Sequence, residues 1–176
     1  MSVRGLAHSV FYHPESSTAV GIGSPVDTEN VQIRQATRGD LLAVSRLETQ
    51  VFDQPWSVSV FEEFLGEPAF LLAELDSELV GYVVADWMPN AGRDFGHIKD
   101  LAVHPDARRS GLGRLLLRQA VSRLLIEGVS RIKLEVRAGN TAAQRLYTQE
   151  GFEAVRQIPR YYSDGETALI LVYQAD

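Results

Sequence analysis

A strand–helix–strand unit near the middle of the chain restricts the fold more than any other segment. An apolar strand over Ile98–Val103 leads through a turn into a helix that begins near Gly111. The helix ends at Gly128, and a second strand follows over Arg131–Val136. A helix that connects two neighbouring strands favours a parallel pair, whereas antiparallel strands can be joined by a tight turn. The unit therefore predicts at least one parallel pair within a larger sheet.

The other segments predict antiparallel strands and further helices around this unit. The expected strands are Val31–Gln35, Ala69–Leu75, Glu78–Trp87, Gly96–Val103, Phe152–Ile158 and Thr167–Tyr173. The expected helices run from Thr37-Arg38-Gly39-Asp40 to about Phe52, from Pro55-Trp56-Ser57 to Leu65, and from Thr141 to Glu150. A tight turn is expected at Asp76-Ser77 and a loop over Pro89–Phe95. This order predicts an α/β fold with one mixed, twisted β-sheet and helices on both faces.

Length and composition indicate one folded domain. The chain has 176 residues, of which 45% are hydrophobic, enough for one substantial core. Residues 1–30 are rich in Ser, Gly and Pro and lack a sustained period, so we expect a flexible N-terminal extension before a domain over 31–176. No apolar run could span a bilayer, and the first residues do not read as a secretory signal. We therefore expect a cytoplasmic protein without a membrane partner; no sequence feature determines an oligomeric state.

Cysteine content and charge argue against several kinds of chemistry. The chain has no cysteine, which rules out disulfides, thiolate nucleophiles and Cys-ligated metals. Its four histidines lack a metal-binding spacing, so we expect no metal site. The net charge of −6 argues against nucleic acid as a direct partner, because that binding depends on neutralising phosphates.

The segment Arg108–Gly113, here named the glycine loop, lies between the first strand of the unit and its helix. A helix N-terminus has unpaired N–H groups and a partial positive charge, and glycines let the backbone approach an anion closely. A P-loop would need Lys-Ser or Lys-Thr after its last glycine, and a dinucleotide fold would need a glycine in place of Leu116. Because both are missing, the loop predicts a site for a pyrophosphate held by backbone N–H groups without a metal.

The glycine loop and its surroundings resemble the GNAT superfamily of N-acetyltransferases. Arg108–Gly113 matches the acetyl-CoA motif Gln/Arg-x-x-Gly-x-Gly/Ala, and Leu101–Pro105 is typical of the strand before it. The resemblance covers about residues 31–173 and implies the GNAT fold, with acetyl-CoA as the co-substrate. The residues that it implies in binding acetyl-CoA are Leu101, Ala102, Val103, Arg108, Arg109, Ser110, Gly111, Leu112, Gly113, Arg114, Asn140 and Tyr147.

A narrower resemblance is to the RimI-like branch, which comprises ribosomal-protein alanine N-acetyltransferases and their archaeal relatives. It depends on the combination of Pro55-Trp56-Ser57, Leu134-Glu135-Val136-Arg137, Asn140, Leu146-Tyr147, Gly151-Phe152, Tyr161-Tyr162 and Asp164-Gly165-Glu166. Gly96-His97-Ile98 is more similar to archaeal members. The branch implies a protein or peptide N-terminus as the acetyl acceptor.

Glu135 is the preferred general base. Alternation along its strand places Lys133, Glu135 and Arg137 on one face, which by itself could be a charged outer face with ion pairs. The RimI resemblance implies instead that Glu135 removes the amine proton, through water if the distance is too long. An α-amine has an ordinary pKa of about 7.7–8.0, so a modest base suffices.

Further polar residues are candidates for the chemistry. Tyr147 could be a core tyrosine, but the resemblance implies that its hydroxyl protonates the departing thiolate of coenzyme A. Asn140 could cap the last helix and also contact the cofactor. His97 could be structural, whereas the archaeal relatives imply a second base there. Asp100 on the same strand is a weaker alternative.

Trp56, Tyr161 and Tyr162 are expected to line the acceptor side. Trp56 could instead be a hydrophobic staple at a helix start, but paired tyrosines in a loop are harder to explain by packing alone, because both hydroxyls need partners. The resemblance implies that these loops close around a peptide N-terminus. The leading hypothesis is an N-terminal protein acetyltransferase, and the alternatives are a small-molecule amine acetyltransferase and a non-catalytic module that binds acetyl-CoA.

Overall fold

The computed structural model describes residues 27–90 and 93–175. Its strands are β1 Gln32–Gln35, β2 Leu71–Leu75, β3 Glu78–Asn90, β4 Arg93–Val103, β5 Arg131–Arg137, β6 Glu153–Ile158 and β7 Ala168–Gln174. Its α-helices are α1 Leu41–Val51, α2 Val58–Glu63, α3 Leu112–Ile126 and α4 Thr141–Gln149. The predicted order of strands and helices is confirmed.

Most of the predicted N-terminal extension, residues 1–26, lies outside the described residues. Its last part is structured, because Thr28–Asn30 form one turn of 3-10 helix. The Asp27 carboxylate caps this turn and accepts a hydrogen bond from the Glu29 N–H at 3.0 Å. Regular structure is therefore present before the predicted domain boundary at residue 31.

Seven strands form one mixed sheet in the order β1-β2-β3-β4-β5-β7-β6. β4 and β5 are parallel, as the strand–helix–strand unit predicts, and the other neighbouring pairs are antiparallel. The predicted turn at Asp76-Ser77 is confirmed, with φ of 51° and 67° at its two residues, which is typical of a two-residue hairpin. β7 lies between β5 and β6, although β6 precedes it in the chain.

The predicted loop over Pro89–Phe95 is wrong. β3 continues to Asn90 and β4 begins at Arg93, so the two strands form one long hairpin in which Pro89 is opposite Asp94. Proline usually interrupts a central strand, because it cannot donate a hydrogen bond to a neighbouring strand. This part of β3 has β4 as its neighbour on one side only, since its ladder with β2 ends at Val83.

Apolar side chains pack on both faces of the sheet. On one face, α3 and α4 pack in a cluster that includes Leu101, Leu112, Leu116, Leu134, Val136 and Tyr147. On the other face, α1 and α2 pack in a cluster that includes Val44, Leu47, Phe61, Phe64, Tyr82 and Ala102. Helices on both faces are thus confirmed. Within residues 27–90 and 93–175, none of the helices has the length and apolar character needed to cross a membrane.

The sheet opens at its centre. The parallel ladder between β4 and β5 ends at Ile98 with Leu134, and both strands continue beyond it without pairing to each other. We refer to the space between Lys99–Val103 of β4 and Glu135–Arg137 of β5 as the central gap. Beyond the ladder, the backbone groups of the two strands do not pair with each other across the gap, so the gap can accept a ligand that hydrogen-bonds to a strand edge.

A bulge in β4 lies at the start of the central gap. Consecutive residues of β3 pair with Ile98 and then with Asp100, which leaves Lys99 as an extra residue on β4. The alternation of faces shifts by one residue at a bulge. His97 and Asp100 therefore lie on the same face of the sheet, the face covered by α1 and α2, although they are three residues apart.

Candidate active site

The glycine loop has a backbone conformation suited to binding an anion. Gly111 has a φ of 91° and Arg109 a φ of 62°, both in the left-handed region, and α3 starts directly after Gly111. Five backbone N–H groups of this segment donate no hydrogen bond to any described residue: those of Arg109, Ser110, Gly111, Gly113 and Arg114. These donors are grouped at the positive end of α3, which is the arrangement that binds a phosphate group.

The arginine side chains in the loop and just after it differ in the contacts that they make with other residues. Arg108 Nε donates to the Val103 carbonyl oxygen at 3.4 Å, and Arg114 Nε lies 2.9 Å from a carboxylate oxygen of Glu150 at the end of α4. Arg109 is exposed and forms no ion pair with any residue that the structure describes. Arg109 is therefore better placed than Arg114 to meet a bound phosphate, although the sequence predicted both.

Replacing Gly111 with Ala is expected to weaken the binding of coenzyme A about tenfold. The free energy of unfolding should fall by about 1 kcal/mol, because a Cβ is disfavoured at positive φ. No atom lies within 4 Å of a Cβ built on Gly111, so strain in the backbone and not a clash would cause the loss. Calorimetric titration with coenzyme A and urea unfolding measure the two effects separately.

Gly128→Ala is the matched control for this substitution. Gly128 has a φ of 87°, equally open surroundings and a position at the other end of α3. The control should lose the same stability and keep its affinity for coenzyme A. An equal loss of affinity in both variants would show that the glycine loop does not bind the cofactor.

Glu135 lies at the first position of β5 beyond the ladder with β4, at the edge of the central gap. Its Oε2 is 2.5 Å from Nε2 of His97, and its Oε1 is 3.2 Å from Nζ of Lys133. Glu135 is only 5% exposed, so the interpretation of this face as a charged outer face is wrong for Glu135. The structure brings the predicted base and the predicted auxiliary base into one buried pair.

The protonation states of this pair follow from its surroundings. Burial acts to raise the pKa of Glu135, but the hydrogen bond from His97 and the charges of His97 and Lys133 bring that pKa below its ordinary value. Burial lowers the pKa of His97 more than the contact with Glu135 raises it. At neutral pH the pair is therefore an ionised carboxylate that accepts a hydrogen bond from a neutral imidazole.

The free energy of unfolding is expected to fall as the pH drops below about 6.5, the value at which an ordinary histidine takes up a proton. The unfolded chain binds a proton at His97 there, whereas the folded protein resists it, so stability is lost with falling pH until the folded pKa is passed. Urea unfolding between about pH 5 and pH 7 measures this slope. His97→Gln should reduce it; an unchanged slope in that variant would mean that other groups cause the loss.

Tyr147 combines a core ring with a hydroxyl that has no partner. The side chain is fully buried, and its ring centroid lies 5.8 Å from that of Phe152. Its hydroxyl makes no hydrogen bond with a described residue. Burial raises the pKa of Tyr147 well above its ordinary value, and the negative charges that Asp100 and Tyr162 carry when ionised raise it further. The interpretation as a core tyrosine is confirmed for the ring, while the hydroxyl stays protonated.

Asn140 caps α4. Its Oδ1 accepts a hydrogen bond from the Ala143 N–H at 3.1 Å, and the residue is buried. The interpretation as an N-cap is confirmed, and a contact between Asn140 and the cofactor stays a prediction.

Tyr161 and Tyr162 lie in the segment between β6 and β7, here named the tyrosine loop (residues 159–167). Their rings are perpendicular, with centroids 5.1 Å apart, and the guanidinium carbon of Arg137 lies 4.0 Å from the centroid of Tyr162. Arg137 also donates to the Glu166 carboxylate at 2.7 Å. Burial and the charge of Glu135 raise the pKa of Tyr161, so this hydroxyl is close enough to sense the predicted base.

Trp56 does not fit its predicted place on the acceptor side. The segment between α1 and α2 does reach the tyrosine loop, because Gln54 Nε2 donates to Ser163 Oγ at 2.9 Å. The indole of Trp56, however, is only 4% exposed and packs against Phe64 and Phe61, with ring centroids 5.7 and 5.4 Å away. The alternative interpretation, a packing residue at the start of α2, explains the ring better.

Sequence analysis missed two buried polar residues beside the site. Glu48 of α1 is fully buried and accepts the Trp56 backbone N–H at 2.8 Å. Tyr82 of β3 joins Glu48 to Asp100, which the sequence marked only as a weaker alternative. A signal was present, because Glu48 follows Val44 by four residues and so lies on the apolar face of α1.

Comparisons with known proteins relate this chain to one family of enzymes. Residues 41–152 match the model of the acetyltransferase (GNAT) family. An N-alpha-acetyltransferase of Sulfolobus acidocaldarius is 32% identical over 154 residues, which span 81% of this chain and 91% of the relative. A ribosomal protein bS18-alanine N-acetyltransferase of Escherichia coli is 36% identical over 135 residues, spanning 75% of this chain and 89% of the relative.

Two solved structures share the fold. The ribosomal-protein-S18-alanine N-acetyltransferase from Escherichia coli superposes with a TM-score of 0.73 and 30% identity, over 82% of this chain and 93% of its own. Arabidopsis thaliana NAA60, solved in complex with acetyl-CoA, superposes with a TM-score of 0.73 over 82% of this chain and 99% of its own. At 20% identity, the second likeness shows the fold alone.

Proposed function

Because the chain belongs to the acetyltransferase (GNAT) family, we propose that it transfers the acetyl group of acetyl-CoA to the free α-amine at the N-terminus of a protein. Two relatives about one-third identical to it are an N-alpha-acetyltransferase and a ribosomal protein alanine N-acetyltransferase. The observation that carries the proposal is the buried pair of Glu135 and His97, which lies at the central gap and beside the tyrosine loop.

The free donors of the glycine loop and the unpaired edge of β4 support a place for acetyl-CoA. The pyrophosphate would bind the N–H groups at the start of α3, and the extended arm would hydrogen-bond along Leu101–Val103. A cofactor held in this way follows the central gap toward Glu135 and Tyr147. No metal is required, because the loop offers backbone donors and arginine charge.

In the proposed reaction, Glu135 takes one proton from the acceptor ammonium, through water where the distance requires it. The neutral amine nitrogen then attacks the thioester carbon, and the carbon–sulfur bond breaks as the amide forms. The hydroxyl of Tyr147 gives its proton to the departing sulfur, which leaves as the thiol of coenzyme A. The second proton of the attacking nitrogen returns to the Tyr147 phenolate, and Glu135 releases its proton to solvent. The buried, partner-free hydroxyl supports this role, because it has a proton and no competing acceptor among the described residues.

The choice of an α-amine is supported by the weakness of the base. The pKa of Glu135 is below its ordinary value, so the carboxylate cannot readily remove a proton from a lysine side chain, whose ordinary pKa is about 10.4. An α-amine, at about 7.7–8.0, loses its proton far more readily. The acceptor side is bounded by the rings of Tyr161 and Tyr162 and by the contact between the tyrosine loop and Gln54. We infer that this space suits the extended end of a peptide.

Incubation with acetyl-CoA is expected to acetylate unblocked peptides at the α-amine, which mass spectrometry with fragmentation locates. The panel varies the first residue and contains one internal lysine in each peptide. The same peptides with a blocked N-terminus are the control, and they should stay unmodified. Polyamines and free amino acids test the small-molecule alternative: turnover on these amines with none on any peptide would overturn the proposal while leaving an acetyltransferase.

A further inference from the structure

A buried chain of three oxygen atoms lies next to the candidate active site but outside the groups assigned to the reaction. It joins Glu48 of α1, Tyr82 of β3 and Asp100 of β4, and all three side chains are fully buried. The Tyr82 hydroxyl makes a short hydrogen bond with Glu48 Oε2 and lies 2.8 Å from Asp100 Oδ2. The other carboxylate oxygen of Glu48 accepts the backbone N–H of Trp56 at 2.8 Å.

Counting hydrogen atoms shows that one carboxyl group in this chain holds a proton. The phenol of Tyr82 has a single hydrogen and can donate it to one carboxylate only. Its second contact is a hydrogen bond only if the other carboxyl is protonated and donates to the phenol oxygen. Two ionised carboxylates on either side of one hydroxyl would also repel each other strongly, because both side chains are fully buried. The pair of Glu48 and Asp100 therefore carries at most one negative charge.

Burial raises the pKa of both carboxyl groups, but the hydrogen bonds with the Trp56 N–H, Tyr82 and Asp100 all act to lower that of Glu48, so the surroundings place the charge on Glu48. Glu48 is positioned to receive two donors, the Trp56 N–H and the Tyr82 hydroxyl, while Asp100 Oδ1 has no partner among the described residues. Burial, followed by the charge of Glu48, raises the pKa of Asp100 well above its ordinary value, and the contacts with Tyr82 and the Leu101 N–H offset this only in part. The hydrogen bonds then run from Asp100 to Tyr82 and from Tyr82 to Glu48.

The site of the charge matters because Asp100 acts on Tyr147. Among the described residues, the ionisable groups that act on Asp100 are Glu48 from α1 and Tyr82 from β3, neither of which is a cation, and the charge of Asp100 in turn acts on Tyr147 of α4. A charge at Asp100 raises the pKa of Tyr147, so an ionised Asp100 would make its hydroxyl a poorer acid. It would also oppose the negative charge that develops on the thioester oxygen and sulfur.

We propose that Asp100 is kept as a neutral carboxylic acid by the Glu48–Tyr82 hydrogen bonds, and that this keeps negative charge away from the sulfur end of the site. Asp100 and Glu48 are positioning residues, because they act through Tyr147 and do not touch the reacting atoms. The kinetic part of this inference rests on the proposed function, whereas the protonation of Asp100 does not.

Isosteric substitutions can move the charge without breaking the hydrogen bonds. In Asp100→Asn, the amide donates to Tyr82 and the charge stays on Glu48. In Glu48→Gln, the amide oxygen still accepts the Trp56 N–H, and its NH₂ group donates to Tyr82. Tyr82 then donates to Asp100, and we expect Asp100 to ionise because the charge of Glu48 no longer raises its pKa. The double variant keeps the same bonds and has no charge in the chain.

We therefore expect the effect to follow the charge and not the number of substitutions. With acetyl-CoA and an unblocked peptide, Glu48→Gln should lower kcat about tenfold or more, with the KM values for both substrates nearly unchanged. Asp100→Asn and the double variant should stay within about threefold of the wild-type kcat. Recovery of kcat on adding Asp100→Asn to Glu48→Gln is not expected from a merely structural role. A double variant as slow as Glu48→Gln, or an equally slow Asp100→Asn, would overturn the proposal.

Infrared spectroscopy tests the protonation without relying on activity or on the stability of Glu48→Gln. At neutral pH, the wild-type protein should show the carbonyl stretch of an un-ionised carboxylic acid, and Asp100→Asn should lack it. A missing band in the wild type overturns the inference about Asp100 even if the protein acetylates peptides. If the wild type shows this carbonyl band but acetylates no peptide, the inference that Asp100 is protonated holds and the proposed function is contradicted.

Discussion

Replacing Glu135 with Gln is expected to lower kcat for peptide acetylation about a hundredfold or more, because the amide cannot accept the amine proton. The substitution keeps the size of the side chain, and the amide oxygen can still accept the hydrogen bond from His97 Nε2. Binding of coenzyme A should change little, since the proposed site for its pyrophosphate is the glycine loop. Steady-state kinetics on the best peptide, with calorimetric titration of coenzyme A, measure both quantities.

Glu153→Gln is the control for this loss. Glu153 is an exposed residue of β6, which β7 separates from β5, and the same chemical change there should leave kcat unaltered. The role of His97 is decided by the same series. If Glu135→Gln keeps the wild-type kcat while His97→Gln abolishes turnover, the imidazole is the base and the carboxylate only orients it.

Replacing Tyr147 with Phe should lower kcat about ten- to a hundredfold and at the same time leave the protein as stable as before or more stable. The loss of rate follows from removing the proton donor for the departing thiolate. The stability follows from the buried hydroxyl, which has no partner among the described residues: deleting it removes a desolvated polar group, an effect of about 1 kcal/mol. Kinetics and urea unfolding of one protein preparation test both.

Tyr173→Phe separates loss of a tyrosine hydroxyl from loss of this particular one. The rings of Tyr173 and Tyr147 both pack against Phe152, with centroids 5.6 and 5.8 Å away. The control should keep its kcat. A wild-type kcat in Tyr147→Phe would remove the tyrosine from the reaction, and a large fall in stability would show that its hydroxyl has a hydrogen bond in solution.

The parts of this molecule that could be predicted are those that neighbouring residues determine. The glycine loop lies between β4 and α3, and its backbone geometry depends on six consecutive residues. Gly111 takes the positive φ that such a turn needs. The caps of the helices are equally local, as Asn140 and Ala143 show.

Other features depend on contacts between distant segments and could not be read from spacing. His97 and Glu135 are 38 residues apart and meet only because β4 and β5 are parallel in one particular register. Alternation alone placed Glu135 on a charged face but could not show that the side chain is buried and in contact with His97. The bulge at Lys99, which turns Asp100 toward Tyr82, has no distinctive residue pattern.

The order β5-β7-β6 also has a consequence for how the protein folds. β6 is made before β7, yet among the described strands its only neighbour is β7. It therefore has no described strand to pair with until residues 168–174 are available. Until then β5, which carries Glu135, is paired on one side at most and exposes an unprotected edge. Long-range pairing of this kind is slow, because the intervening loop must close first. We therefore expect β1–β4 with α3 to gain protection from hydrogen exchange first. The part of the candidate site that contains Glu135 should form in the last step of folding.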